Sequence, residues 1–303
     1  YISKSILQSL IFIKFDYCLE SLIVTLLKVN GYFMRIFKYW ATASKVLHID
    51  GFTQESSVYG GSDISMDHAR EDAEQRMDKA ATKIQEKINR IYYNDPNYEV
   101  DIMEEIIEKI DSNNIITRNR YGALVLNSTD TMFIDVDSYK LSFMKIFFRR
   151  GKTNKDFMLA AIEKAAAKSI YNQLGFRIYE TYKGYRVLVS GFNHPVRSSE
   201  TKFILKDFNG DRLYNYMCDK QNCYRARLTP KPNRVEQKLP RIIFPDRNNE
   251  QQDIHDRWLE EYRYKSQRFS TCNLVKEIGF VSSTRVIEVH DRISKVNRDY
   301  PLA

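Results

Sequence analysis

The chain has 303 residues, 43% of them hydrophobic and 28% charged, so it reads as globular and is long enough for one large domain or two smaller ones. Lysine and arginine outnumber aspartate and glutamate by 47 to 39, a formal net charge of +8. That balance favours anionic partners such as nucleic acid, nucleotides or acidic membrane surfaces, although so diffuse an excess also suits a solvated surface.

Residues 1–33 differ in character from the rest of the chain, and the first methionine is Met34. Lys14, Asp16 and Glu20 interrupt the leader's apolar run, leaving nothing near the roughly 18 to 20 residues a membrane span needs. The leader is expected to stand outside the fold as an upstream translation artefact, with an amphipathic surface helix as the alternative. Cys18 lies within it; Cys218, Cys223 and Cys272 remain. An odd number of thiols without a signal peptide points to a reducing, cytoplasmic setting.

From Met34, RIFKYW and KVLHIDGFTQESSVYGG predict two strands around an Asp50-Gly51 turn. Ser65 is placed to cap a helix beginning at Met66, and EVDIMEEIIEKI, residues 99–110, predicts a second helix. Residues 34–112 thus form an N-terminal hairpin with two helices, and 113–303 an α+β core.

In the core, IITRNRYGALVLNS and TMFIDVD are β-rich and are followed by a basic loop with Lys145, Arg149, Arg150 and Lys152. A helix is predicted from about Asn154, then a hairpin, GFRIYETYKGYRVLVSG, turning near Lys183-Gly184. The order β, β, α, β, β predicts an antiparallel sheet with helices packed on one face. Further on come a short helix (SSETKFILKDF), a basic Cys-containing loop and a helix around HDRWLEEYRYKSQRF.

Alternation along a strand puts Asp135 and Asp137 of FIDVD on one side. Two carboxylates so close repel unless a cation separates them, and Mg²⁺ or Mn²⁺ takes one or two carboxylates together with phosphate oxygens; a solvated strand end is the plain alternative. Lys183 and Arg186 stand ready to clamp phosphates. Asp207 and Asp211 are candidates for a third carboxylate, and His194 for a general base. If the strands of RNRYGALVLN and FIDVD pair, Arg118 or Arg120 shares the aspartates' sheet.

The segment 218–241 holds seven Lys or Arg against two acids. Tyr224, Arg225, Arg227, Lys231 and Arg234 therefore suggest a phosphate-backbone groove with a stacking residue, where a basic surface loop would read the same way. Cys218 and Cys223, with Cys272 and His290, are also a weak match to a Zn²⁺ site, against which stand ordinary buried thiols.

YGGSDIS, AREDAEQR, TRNRYGALVLN, FIDVD, YETYKGYRVLVSG and CYRARLTPKP together resemble a family of uncharacterised bacterial proteins from Met34 to nearly the C-terminus, a likeness that names no function. A strand ending in two alternate aspartates, then a helix and a basic hairpin, also resembles the catalytic core of archaeo-eukaryotic primase-polymerases. That resemblance implies an RRM-like core, divalent metal on Asp135 and Asp137, a third aspartate, and a nucleotide or nucleic-acid partner. It also implies a small-x-His motif on a later strand. Arg186 stands in that strand here and His194 lies beyond its end, so a core that binds nucleotide or nucleic acid without synthesis is the alternative, and an interaction or scaffold protein whose two aspartates are an ordinary strand end is a third reading.

Overall fold

The computed structural model describes residues 34–49, 52–87, 100–137, 151, 153–242 and 244–303. The expectations for the leader and for the basic loop of Lys145, Arg149, Arg150 and Lys152 fall outside these residues. The described part is a mixed α+β fold with three antiparallel sheets and six α-helices. Among the described residues no helix is long and apolar enough to cross a membrane.

Strands β1 (Tyr39–Ile49) and β2 (Phe52–Ser62) form the predicted hairpin, and helix α1 (Met66–Lys87) crosses it. Ser65 Oγ accepts the His68 N–H at 3.2 Å, capping the helix as its sequence suggests. The crossing is close because the facing residues are small. A Cβ on Gly60 would lie 2.1 Å from the backbone nitrogen of Ala73.

The second predicted helix is instead an edge strand, β3 (Glu105–Lys109), paired with β4 (Asn114–Arg118). A bulge between Ile106 and Glu108 breaks the register, which hides the period-two alternation that would mark a strand. β4 turns into β5 (Leu124–Ser128) through Asn119, whose Oδ1 accepts the N–H of Tyr121 at 3.0 Å and of Ala123 at 3.1 Å. Gly122 in that turn has φ +84°, and a Cβ there would meet the Trp258 ring at 2.2 Å. The indole cannot easily retreat, since it stacks on Tyr262 at 5.2 Å and donates to the Lys238 carbonyl at 2.7 Å. Gly122→Ala is therefore expected to destabilise by about 1–3 kcal/mol, checked by urea unfolding followed by tryptophan fluorescence; an unchanged midpoint would show that the ring moves freely.

β5 and β6 (Met132–Val136) do not pair, so the condition for Arg118 or Arg120 to share the aspartates' sheet is not met. The chain crosses at Thr129-Asp130 between sheets: β5 lies in the order β3-β4-β5-β9, with β9 Tyr224–Arg227, while β6 edges the order β10-β7-β8-β6. β7 (Gly175–Thr181) and β8 (Tyr185–Ser190) are the predicted hairpin, and β10 is Cys272–Ile278. Arg118 consequently lies in the other sheet from the aspartates, buried and donating to the Gly122 carbonyl at 3.2 Å.

Helix α2 (Asn154–Ala166), started by a Thr153–Asp156 capping box, buries Met158 and Ile162. It covers the sheet face formed by the fully buried row Ile134, Val187 and Ile178. Helices α3 (Ser199–Asp207), α4 (Arg212–Gln221) and α5 (Asn249–Ser266) follow, then α6 (Arg285–Ser294). α6 lies on the opposite face from α2, with His290 4.9 Å from the Tyr179 ring and 5.4 Å from Phe133. Helices therefore flank this sheet on both faces rather than one. The sheets meet beside β6. There the Tyr214 hydroxyl donates to the Phe133 carbonyl at 2.8 Å and accepts the Arg225 N–H at 3.3 Å, bridging two strands that share no ladder.

Candidate functional site

Alternation along β6 places Asp135 and Asp137 on the face opposite Ile134, and the antiparallel register sets Asp135 directly across from Arg186 on β8. The Thr181–Gly184 turn between β7 and β8 supplies Lys183; β9 supplies Arg227; and a 3₁₀ turn, Pro232–Arg234, follows Lys231. These seven side chains line one cleft of ≈ 620 Å³ with Asp101, Glu104, Arg120 and Tyr121 on its other wall. In all, seven basic and four acidic side chains line it, an excess of three positive charges.

Burial first, and the neighbouring charges after it, move these groups from their ordinary states. Burial raises the Asp135 carboxyl; Arg186 opposes this and Asp137 adds to it. Burial, with Arg186 and Arg234, pushes the Arg227 guanidinium down to about 10. Lys231 is lowered by burial and then by Arg227, Arg234 and Lys183. Burial also lowers Arg234, with Asp137 opposing. Arg234 rests over the Tyr182 ring at 4.2 Å, and its Nη1 is buried without a hydrogen-bond partner. Such a cleft favours a polyanion, and its two carboxylates suit a divalent cation bridging to phosphate oxygens.

Other predicted residues stand elsewhere. Tyr224 is 1% exposed, and its hydroxyl meets Thr201 Oγ1 at 3.0 Å, so it is a core residue and not a stacking surface. Arg225 lines the cleft but is committed to Glu104, its Nη2 lying 2.7 and 2.6 Å from the two carboxylate oxygens. His194 is exposed beside the Phe192 ring, outside the cleft lining. Asp207 pairs with Lys168 and accepts the Tyr171 hydroxyl at 2.9 Å, also away from the cleft. Asp211 caps α4, and its backbone N–H reaches the Asp135 carbonyl at 2.7 Å.

Cys218, Cys223 and Cys272 are buried free thiols, Cys218 and Cys272 pushed up by burial to about 12 and about 11 and Cys223 further. Cys223 belongs to a different apolar cluster from the other two. Among the described residues, no group of three or more His, Cys, Asp or Glu is placed to hold a metal. Neither the zinc set with His290 nor a third carboxylate from Asp207 is assembled. Asp135 and Asp137 are the two carboxylates that β6 brings to the cleft.

Asp101 and Glu104 carry no local signal in the sequence, because they reach the cleft from the loop before β3; Tyr121 reaches it from the β4–β5 turn. Comparison of the chain with protein-family models, with curated proteins and with solved structures finds no match.

Proposed function

We propose that this protein binds a nucleotide or nucleic acid through its phosphates, with Mg²⁺ or Mn²⁺ at Asp135 and Asp137, in a primase-polymerase-like cleft. The observation that carries the reading is the convergence of two close carboxylates with Lys183, Arg186, Arg227, Lys231 and Arg234 in one concavity. Held between the two aspartates, the cation would neutralise and orient phosphate oxygens. The chain's own cations supply the rest. Arg227, Lys231 and Arg234 are held close to one another at an electrostatic cost that a phosphate group relieves, and Lys183 adds a charge at the hairpin turn. Exposed Tyr121 and Tyr182, each with an arginine over its ring, offer stacking surfaces at the rims in place of Tyr224.

The second reading is binding without turnover. Among the described residues no histidine lines the cleft, and Arg186, which cannot serve as a general base at neutral pH, occupies the strand position facing Asp135. The buried free thiols suit a reducing, cytoplasmic compartment.

Calorimetric titration with ATP and Mn²⁺ tests the reading. Wild type is expected to bind, more weakly as salt rises. Changing Arg227, Lys231 and Arg234 together to Gln should weaken binding by more than about tenfold, since each charge-assisted contact contributes roughly 1.5–3 kcal/mol. The apo melting temperature should not fall, because mutual repulsion is removed with the contacts. Absence of binding by ATP and by short single-stranded oligonucleotides at low salt would overturn the proposal.

A further inference from the structure

On the face of the sheet opposite α2, one cross-strand row runs Tyr179, Arg186, Asp135 over β7, β8 and β6. Helix α6 lays His290 over this row, with no exposed surface. His290 Nε2 lies 3.3 Å from Arg186 Nη1. A guanidinium only donates, so Nε2 is the acceptor and the imidazole proton sits on Nδ1. Nδ1 lies 2.9 Å from Asp291 Oδ1, which receives that proton's hydrogen bond. Asp291 is itself fixed: Oδ1 accepts the Tyr179 hydroxyl at 2.8 Å, and Oδ2 pairs with Arg177 Nη2 at 3.0 Å.

Arg186 Nη1 also donates to the Arg227 carbonyl at 2.9 Å. Nη1 has two hydrogens, and these two acceptors use both. Nη2 and Nε remain for the cleft, where Arg186 stands across from Asp135. We propose that His290 and Asp291 are positioning residues: they fix one tautomer of a buried imidazole so that the Arg186 guanidinium presents a set edge to the anion held in the cleft.

This role rests on the cleft being an anion site, but the relay is defined by its own geometry. The groups facing His290 are Phe133 from β6, Tyr179 and Arg177 from β7, Arg186 from β8, and Asp291 from its own helix. Burial first, with Arg186 and Arg177, keeps the imidazole below its ordinary range, Asp291 opposing. A neutral ring is what the acceptor role at Nε2 needs. Protonation would place a second donor against Arg186, so the relay is intact above the titration of His290 and broken below it.

The test has two arms, one of which needs no ligand. Nitrogen NMR of the wild type should show the Nδ1–H tautomer for His290 together with a sharp Arg186 Nε–H resonance. An Nε2–H tautomer would overturn the proposal. In the second arm, affinity for ATP with Mn²⁺ is measured for His290→Leu, His290→Gln and Asp291→Asn. His290→Leu removes the acceptor, and Asp291→Asn turns an amide N–H toward Nδ1 and inverts the tautomer. Each should weaken binding by on the order of tenfold or more, the range seen when partners behind a site residue are removed. His290→Gln, whose Oε1 can accept from Arg186, should restore most of it. Equal affinity in wild type and a folded His290→Leu would overturn the relay and leave the cleft reading standing. Absence of ATP binding in wild type would instead overturn the cleft reading, and the tautomer and the Arg186 resonance would then decide the relay. Should His290→Leu not fold, failure of the Gln variant to bind better than Asp291→Asn overturns it equally.

Discussion

Replacing Arg225 with methionine is expected to lower stability by about 3–5 kcal/mol, the cost of breaking a buried ion pair from one side. The side chains of Arg225 and Glu104 are 17% and 12% exposed, so their attraction is little screened. Burial alone would lower the guanidinium's affinity for its proton; Glu104 outweighs it, and the net direction is upward. Arg225 Nη1 also donates to Gln221 Oε1 at 3.1 Å, and Glu104 Oε2 accepts the Thr117 hydroxyl at 2.6 Å. Asn127 Nδ2 in turn donates to Thr117 Oγ1 at 2.8 Å. Loss of Arg225 leaves a carboxylate unneutralised at the end of that chain of hydrogen bonds. Replacing Glu104 with Met in the same molecule should return most of the lost stability, since two apolar groups of similar volume need no partner. Urea unfolding of the two single variants and the double variant measures this coupling. Additive single effects would show that the pair is not the source of the loss.

Arg227, two residues along the same strand and on the same face, is expected to behave oppositely. Burial, Arg186 and Arg234 outweigh the opposing Asp135 carboxylate, and the Arg227 charge is held at a cost. From sequence the two arginines are equivalent, because alternation reports a shared face and says nothing about which strands deliver the neighbours. The same limit explains Tyr224, whose place in a basic run suggests a stacking residue; it points to the other side of β9 into the core, beside Thr201. Local signals suffice for the Asp135 and Asp137 alternation, the Lys183-Gly184 turn and the start of α2, all of which depend on residues within a few positions. Contacts across the chain are not legible in this way. Arg186 and His290 are 104 positions apart, and Glu104 meets Arg225 over 121, so no window of sequence contains either pair. The strand Glu105–Lys109 is hidden for a different reason, its bulge imitating a helical spacing.

Manganese is expected to raise the melting temperature of the wild type and to leave a variant carrying both Asp135→Asn and Asp137→Asn unaffected. Asp135 is half-buried on the cleft floor, and its carboxyl is raised by burial above its ordinary range, Arg186 only partly compensating and Asp137 adding to the rise. A folded-state value above the unfolded one means that the protonated form favours the fold: this contribution is present in acid below the unfolded value and is lost as pH rises through the folded one. At neutral pH the unfolded chain's carboxyl is ionised while the fold disfavours that charge, so Asp135 costs stability there, a cost that either a bound cation or conversion to asparagine removes. The double variant should consequently melt above the metal-free wild type at pH 7, and the difference should shrink as the pH is lowered toward 4. A cation that binds only the folded chain adds about 2.7 kcal/mol at 100 times its dissociation constant, so millimolar Mn²⁺ with a dissociation constant in the tens of micromolar should bring the wild type level with the variant or beyond it. Thermal melts at pH 7 and pH 4, with and without Mn²⁺, separate the possibilities. Equal metal responses in the two proteins would mean that Asp135 and Asp137 are not the cation's ligands, and the proposed anion would then have to be held by Lys183, Arg186, Arg227, Lys231 and Arg234 alone.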